Sequence, residues 1–279
     1  MYKYIKILFI LTLIGCENSK EIKYDLPFQG TKNVFYGFLV NGGKSRIEVL
    51  QTTPVLDENP KFNNEKVESI FLVKENKIID TFTKMNNLFF YDKILLSDEK
   101  YLIKVQSKEG IFNSDLVQIP PKTLIKKCDF SFNKDTSILK LKLAFEDNPF
   151  TKDYYIFNLK KYIKGKIIQE LFQSDNQLFS FHNITKDENL VNSIYSDDVV
   201  AKIPIFDNGK YMGLKKIDSL KIELLHISDE YYRFQQSVNS NSVEVGNIGA
   251  YSNPTWTNIS NAYGVIGGVS ITEYVIKLK

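Results

Sequence analysis

The side chains best suited to metal binding or catalysis are scarce in this chain: two histidines, two cysteines and a few adjacent carboxylates. His226 ends the run "SLKIELLHIS" on the face of Leu220, Ile222 and Leu224, which predicts a core position at the end of a strand. His182, in "FSFHNI", opposes Phe179 and Phe181 and is expected to face solvent. Neither has a His, Cys or Glu at metal-ligand spacing, so no zinc site is expected. "SDEK" at Ser97 to Lys100 matches S-x-x-K in form, but S-D-N and K-T-G are missing and no G-x-S-x-G occurs. Asp197-Asp198 and Asp187-Glu188 are adjacent pairs, and in extended chain such neighbours point to opposite faces rather than flanking one scissile bond. "YGVIGGVS" lacks the phosphate-loop spacings, and "IFDNG" lacks the alternating ligands of a calcium loop. No cofactor is expected.

The most informative chemistry lies in the first twenty residues. Lys3 and Lys6 form a basic start, Ile7 to Leu13 an apolar run, and Gly15 a small residue before Cys16. The apolar run is too short to span a bilayer, which takes about 20 residues. Leu13 to Cys16 resembles the lipobox of bacterial lipoproteins. That resemblance implies cleavage of residues 1–15 and lipid attachment at Cys16, and the polar stretch that follows, with its Pro and Gly, reads as a tether over 16–32. Two or three acyl chains, each methylene contributing ~0.8 kcal/mol, then anchor the protein to the membrane through Cys16. Cys128 is left without an intramolecular partner, and in "KCDFSFN" it alternates with Phe130 and Phe132 as a core residue of a strand.

Charge excludes one class of partner. The net charge of +3 falls to +1 without Lys3 and Lys6, and Arg46 and Arg233 are the only arginines. A weak field and almost no guanidinium groups argue against nucleic-acid binding. At 43% hydrophobic and 25% charged, the chain has the composition of a globular protein with a substantial core.

The elements that must carry these residues read as strands. "NVFYGFLVNGG" and "SRIEVLQTTP" form a hairpin about Asn41-Gly42-Gly43, and "VESIFLVKENKIIDTF" repeats the pattern about Glu75-Asn76. "YLIKVQS" alternates, with Tyr101, Ile103 and Val105 on one face. Such spacing predicts a mainly β chain: an N-terminal immunoglobulin-like antiparallel β-sandwich over 33–119, then a second β-rich domain over 122–279. The stiff Pro120-Pro121 pair marks the junction. In the second part "SILKLKLAFED" and "SLKIELLHIS" are half-buried strands, "YIFNLKKYIKGKIIQELF" turns at Lys164-Gly165, and "IFDNGKYMG" turns at Asn208-Gly209. One short helix is expected in "ISDEYYRFQQSVNS", capped by Ser228, with Ile227 stapled on Tyr232 and a stripe of Tyr231, Phe234 and Val238.

"YSNPTWTNISNAYGVIGGVSITEY", residues 251–274, holds the only tryptophan among amides and small residues. Tyr251, Asn253, Trp256, Asn258 and Tyr263 suit a recognition surface, while the glycines equally suit close backbone packing at the end of a sheet.

Leu13 to Cys16, "VFYGFLVNGG", "VQIPPKTL", "SDEYYRF" and "YSNPTWTNISNAYGVIGGVS" together resemble a family of Bacteroidota lipoproteins that carry a domain of unknown function. Those proteins are commonly encoded beside TonB-dependent outer-membrane receptors. The resemblance implies an outer-membrane lipoprotein with an immunoglobulin-like first domain, and it brings no catalytic residues. Two classes stay open: an accessory or binding partner of a TonB-dependent transporter in nutrient or polypeptide traffic, and a cell-surface hydrolase of glycan or peptide.

Overall fold

The computed structural model describes residues 30–53, 66–86, 88–133, 138–163, 165–169, 173–174, 185–186, 194–202, 206–207, 210–211, 218–244 and 255–277. The chain begins with β1 (Asn33–Asn41), β2 (Ser45–Gln51), β3 (Val67–Lys74), β4 (Lys77–Thr81), β5 (Thr83–Met85) and β6 (Leu88–Tyr91). Next come β7 (Lys100–Ser107), β8 (Gly110–Asn113), β9 (Val117–Gln118), β10 (Ile125–Asn133), β11 (Ile138–Glu146) and β12 (Tyr154–Ile163). The short strands β13 (Lys166–Gln169), β14 (Gln173–Ser174) and β15 (Thr185–Lys186) lead to β16 (Ile194–Lys202), β17 (Phe206–Asp207) and β18 (Lys210–Tyr211). The chain closes with β19 (Ser219–Ile227), α1 (Asp229–Glu244) and the long β20 (Tyr263–Lys277). The protein is mainly β with a single helix among the described residues.

The hairpin between β3 and β4 turns where the sequence places it, with Glu75 and Asn76 at φ 50° and 61°. Positive φ at both central residues gives the turn a twist that matches the strands it joins. Gly42, at φ 78°, serves the β1 to β2 turn in the same way. β17 and β18 pair antiparallel as expected, while the Asn208-Gly209 turn between them lies outside the described residues.

The spine is a nine-stranded sheet ordered β13-β12-β19-β20-β1-β2-β6-β5, with β15 on β12. On β1 the period of two sends Phe35 and Leu39 to one face, Tyr36 and Phe38 to the other. Phe35, Leu39, Ile47, Val49, Phe89 and Tyr91 share one core with Ile70, Leu72, Tyr101, Ile103, Val105 and Phe112 of the five-stranded sheet β4-β3-β7-β8 with β9. That packing of sheet on sheet is a β-sandwich. Further along the same face, Phe145 of the sheet β10-β11-β16-β14 meets Tyr155 and Phe157 at ring centroids of 4.9 and 5.6 Å. The opposite face is covered by α1, where Tyr232 stacks on Tyr154 at 3.9 Å and packs with Ile227 and Val269.

Three expectations change. The sandwich is not wholly antiparallel, because β20 lies parallel to β1 from Val34↔Tyr263 to Asn41↔Ser270. Parallel neighbours need a long crossover, and here it is most of the chain. Phe130 lies on the same face of β10 as Cys128, in unbroken register from Lys127 to Asn133, but it is 43% exposed where Cys128 is buried, β10 being the edge strand of its sheet. The helix runs 16 residues; Tyr231 and Phe234 of its stripe pack on Phe38 and Tyr36 of β1, Tyr232 is buried beside them, and only Val238, at 37% exposure, departs from the expected stripe.

The segment 33–119, expected as a domain of its own, takes β20 as the sheet neighbour of β1 and shares its core with Ile259, Ala262 and Ile266.

Candidate functional site

His226 occupies the inward position at the end of β19, 2% exposed, as its alternation with Leu224 predicts. Around it lies a buried polar knot that joins the junction after β9 to the starts and ends of three strands. Its Nε2 lies 3.1 Å from Asp153 Oδ1, its Nδ1 lies 2.9 Å from the Pro121 carbonyl and 3.3 Å from Thr123 Oγ1, and Tyr155 packs on the ring at 4.8 Å. Tyr155 donates to Asp147 Oδ1 at 2.6 Å, and Thr151 donates to Asp153 Oδ2 at 2.7 Å. Ser270 of β20 donates to the Pro120 carbonyl. Asp147, Asp153, Thr123 and Ser270 are all buried. Buried polar groups stay favourable only when their hydrogen-bonding capacity is met, and here the partners come from residues 120–123, 147–155, 226 and 270.

Burial pushes the Asp153 carboxyl up, but the hydrogen bond and charge of His226, with Thr151 and Tyr155, outweigh it and hold Asp153 below the usual carboxylate range. Burial and the bond to Asp147 raise the Tyr155 phenol. The His-Asp pair has the ingredients of a general-base dyad, yet the ring is almost fully buried and acceptors flank both nitrogens. Its geometry is that of a clamp on the Pro120-Pro121 junction.

The segment before β20 forms a second constellation. Asn258, 2% exposed, donates from Nδ2 to Ile266 O at 2.9 Å and accepts from Ile266 N at 3.0 Å. Two residues on, Ser228 completes the pattern: its N–H donates to Gly268 O at 2.9 Å and its Oγ accepts from Gly268 N at 3.0 Å. β19 pairs with β20 only from Val269 onward, so Asn258 and Ser228 serve as strand substitutes along the edge that β19 leaves bare. Ser228, expected as the helix cap, therefore spends its hydroxyl on β20, while its carbonyl takes the first helical bond from Tyr232. Residues 258–260 also cover β8: Asp115 donates to Asn258 O, Ser260 donates to Asn113 O, and Ser114 bridges Ile259.

Of the five residues expected to form a surface, Tyr251 and Asn253 lie outside the described residues. Trp256 is half-buried with its backbone N–H on Ser237 Oγ, and Tyr263 is half-buried with Lys32 5.7 Å from its ring centroid. Asn258 is withdrawn from such a surface, because both ends of its amide are engaged inside the fold. The glycines follow the close-packing reading: a Cβ on Gly268 would stand 2.2 Å from Gln118 O, and one on Gly264, at φ +105°, 2.0 Å from Phe35 O.

Cys128 is 9% exposed, and burial followed by the charge of Asp129 pushes its thiol up to about 11. His182, Asp187 and Glu188 lie outside the described residues; Asp197 and Asp198 fall opposite Leu143 and Lys142 on β16. Among the described residues no group of three or more His, Cys, Asp or Glu could hold a metal ion, and no helix is long and apolar enough to cross a membrane. Sequence reading missed Asp153, Asp147, Tyr155 and Thr123; the one available signal was a histidine at a core position, which calls for polar partners.

A mainly β body built on one long sheet, with its polar constellations turned inward, is the class that fold and site define. The chain belongs to the family described as Domain of unknown function (DUF4249), which it matches over residues 19–274. No curated protein matches it. Among solved structures it is similar at 8% identity and a TM-score of 0.23 to Escherichia coli alpha-2-macroglobulin activated by porcine elastase, covering 71% of this chain and 18% of that one. It is also similar, at 12% identity and a TM-score of 0.21, to the fibronectin(III)-like modules of Clostridium thermocellum CbhA, covering 72% of this chain and 86% of that one. Likeness this slight bears on neither fold nor function.

Proposed function

We propose that this protein is a Bacteroidota outer-membrane lipoprotein, tethered through Cys16, that serves as an accessory or binding partner of a TonB-dependent transporter in nutrient or polypeptide traffic. The observation that carries the reading is the run from Lys3 to Cys16, in which a basic start, an apolar stretch, a small residue and a cysteine stand in lipoprotein order. Against the alternative of a surface hydrolase stands the inward engagement of His226 and Asp153.

Two measurements test the proposal. Cys16→Ser should move the protein from the membrane fraction to the soluble fraction and abolish incorporation of labelled fatty acid; unchanged retention and labelling would refute the anchor. Affinity purification of the wild-type protein from its own membranes should recover a TonB-dependent receptor, and recovery of none would refute the partnership.

A further inference from the structure

We propose that the sheet face beside α1, around Arg46 and Glu48, binds an apolar α-amino acid, either free or as the last residue of a peptide. Arg46 takes the carboxylate, Glu48 takes the ammonium or amide N–H, and the apolar residues beside them take the side chain. The inference goes beyond the transporter reading, and its test needs no receptor.

Helix and sheet together set the place. α1 lies over β1, where Tyr231 packs on Phe38 with ring centroids 4.8 Å apart and Phe234 packs on Tyr36 at 5.8 Å. The same face of the sheet continues past β1 onto β2, β6 and β5. Register lays its side chains in rows: Phe38, Arg46 and Phe90 form one, and Tyr36, Glu48 and Leu88 the next. Phe90 and Leu88 are half-buried, and Met85, opposite Leu88, is 59% exposed. The result is an apolar floor stepped down from the helix, with one cation and one anion standing on it.

Charge selects the occupant. Arg46 is exposed and Glu48 half-buried, and the period of two puts both on this face with their Cα atoms about 7 Å apart. They are not joined to each other, and among the described residues neither has an ion pair or a hydrogen-bonding side-chain partner. A solitary exposed charge is ordinary, so neither residue alone carries anything. Two unjoined charges of opposite sign, with a spare donor next to them, do. The Tyr36 and Tyr231 hydroxyls lie 3.1 Å apart, and Gln235 Nε2 donates to Tyr231 Oη at 2.8 Å. One phenolic proton makes the mutual bond, and the other has no acceptor among the described residues. Burial raises both phenols, so they keep their protons, while the charge of Arg46 pulls against that rise and therefore bears on both hydroxyls. A guanidinium fork beside a spare O–H is a donor set for a carboxylate. Glu48 is the matching acceptor for an ammonium or amide N–H. A simple anion would leave Glu48 opposing it and a simple cation would leave Arg46 opposing it, whereas an amino acid meets both.

The test titrates the full chain carrying Cys16→Ser with phenylalanine, with 2-phenylethylamine and with 3-phenylpropionate by calorimetry at neutral pH, and takes the melting temperature of each variant. Phenylalanine should bind at least about tenfold more tightly than either analogue, since each analogue lacks one of the two charges. Arg46→Gln should weaken phenylalanine about tenfold or more without weakening 2-phenylethylamine. Glu48→Gln should weaken phenylalanine in the same way without weakening 3-phenylpropionate. The peptide Ala-Ala-Phe separates the two sources of this chemistry: tighter binding than phenylalanine assigns the site to a peptide terminus, weaker binding to the free amino acid, and both uphold it. No binding of phenylalanine or Ala-Ala-Phe at millimolar concentration overturns the proposal, as does equal binding of phenylalanine by wild type and Arg46→Gln. Equal affinity for phenylalanine and both analogues would reduce the site to an apolar patch and overturn it too. If Arg46→Gln lowers the melting temperature, Glu48→Gln decides, and wild-type affinity for phenylalanine in that variant overturns the proposal.

Discussion

Replacing Asn258 by Ala removes the side chain that stands in for a strand beside Ile266. Two bonds disappear, of 2.9 and 3.0 Å, and the residue they serve is 1% exposed. Neither Ile266 group has another strand on that side, since β1 pairs with the opposite edge and β19 begins its pairing at Val269. Leaving a buried N–H and a buried C=O unmet costs about 1–3 kcal/mol each, so the substitution should destabilise the protein by about 3–4 kcal/mol. In a chain of this size that is a fall of about 10 °C in melting temperature. Asn258→Asp sharpens the test: its carboxylate still accepts the Ile266 N–H but faces the Ile266 carbonyl with an acceptor, so it should rescue little. Melting by circular dichroism measures the loss, and amide exchange at Ile266 and its neighbours localises it. A fall of less than about 2 °C for Asn258→Ala would refute the argument that side chains complete this edge.

The remaining predictions concern other parts of the same framework. Gly268→Ala should cost about 3 kcal/mol, because its Cβ would meet the Gln118 carbonyl oxygen at 2.2 Å; an unchanged urea midpoint would refute that close approach. Asp153 has a lowered pKa when folded, so it contributes stability that is present above the unfolded value and lost as pH falls through the folded one. Between pH 6 and pH 3 the urea midpoint of the wild type should therefore fall more steeply than that of Asp153→Asn, and parallel curves would remove Asp153 from the acid response. In a Cys16→Ser background, Cys128, its thiol pushed up to about 11, should react with iodoacetamide at pH 8 far more slowly in buffer than in urea; equal rates would contradict its burial. Residues 30–119 expressed alone lack β20 and the Ile259, Ala262 and Ile266 share of the core, so they should melt below the full chain; an equal melting temperature would show the sandwich to be self-sufficient.

By itself the sequence determined whatever depends on near neighbours. Tyr101, Ile103 and Val105 alternate inward on β7, and Leu220, Ile222, Leu224 and His226 on β19, because side-chain direction in a strand has a period of two. The turns at Glu75-Asn76 and Gly42 were legible because few residues accept their backbone angles. The staple of Ile227 on Tyr232 was legible because helix spacing sets it. Only the tertiary structure decided which distant segments meet. No local pattern brings Tyr263–Lys277 beside Asn33–Asn41 in parallel, places the aspartates of 147–153 under His226, or sets Asn258 against Ile266. Those contacts join residues far apart in sequence or satisfy groups that the folded sheet alone leaves bare. The same amide that suits a recognition surface also suits a missing strand, and burial alone settles which work it performs.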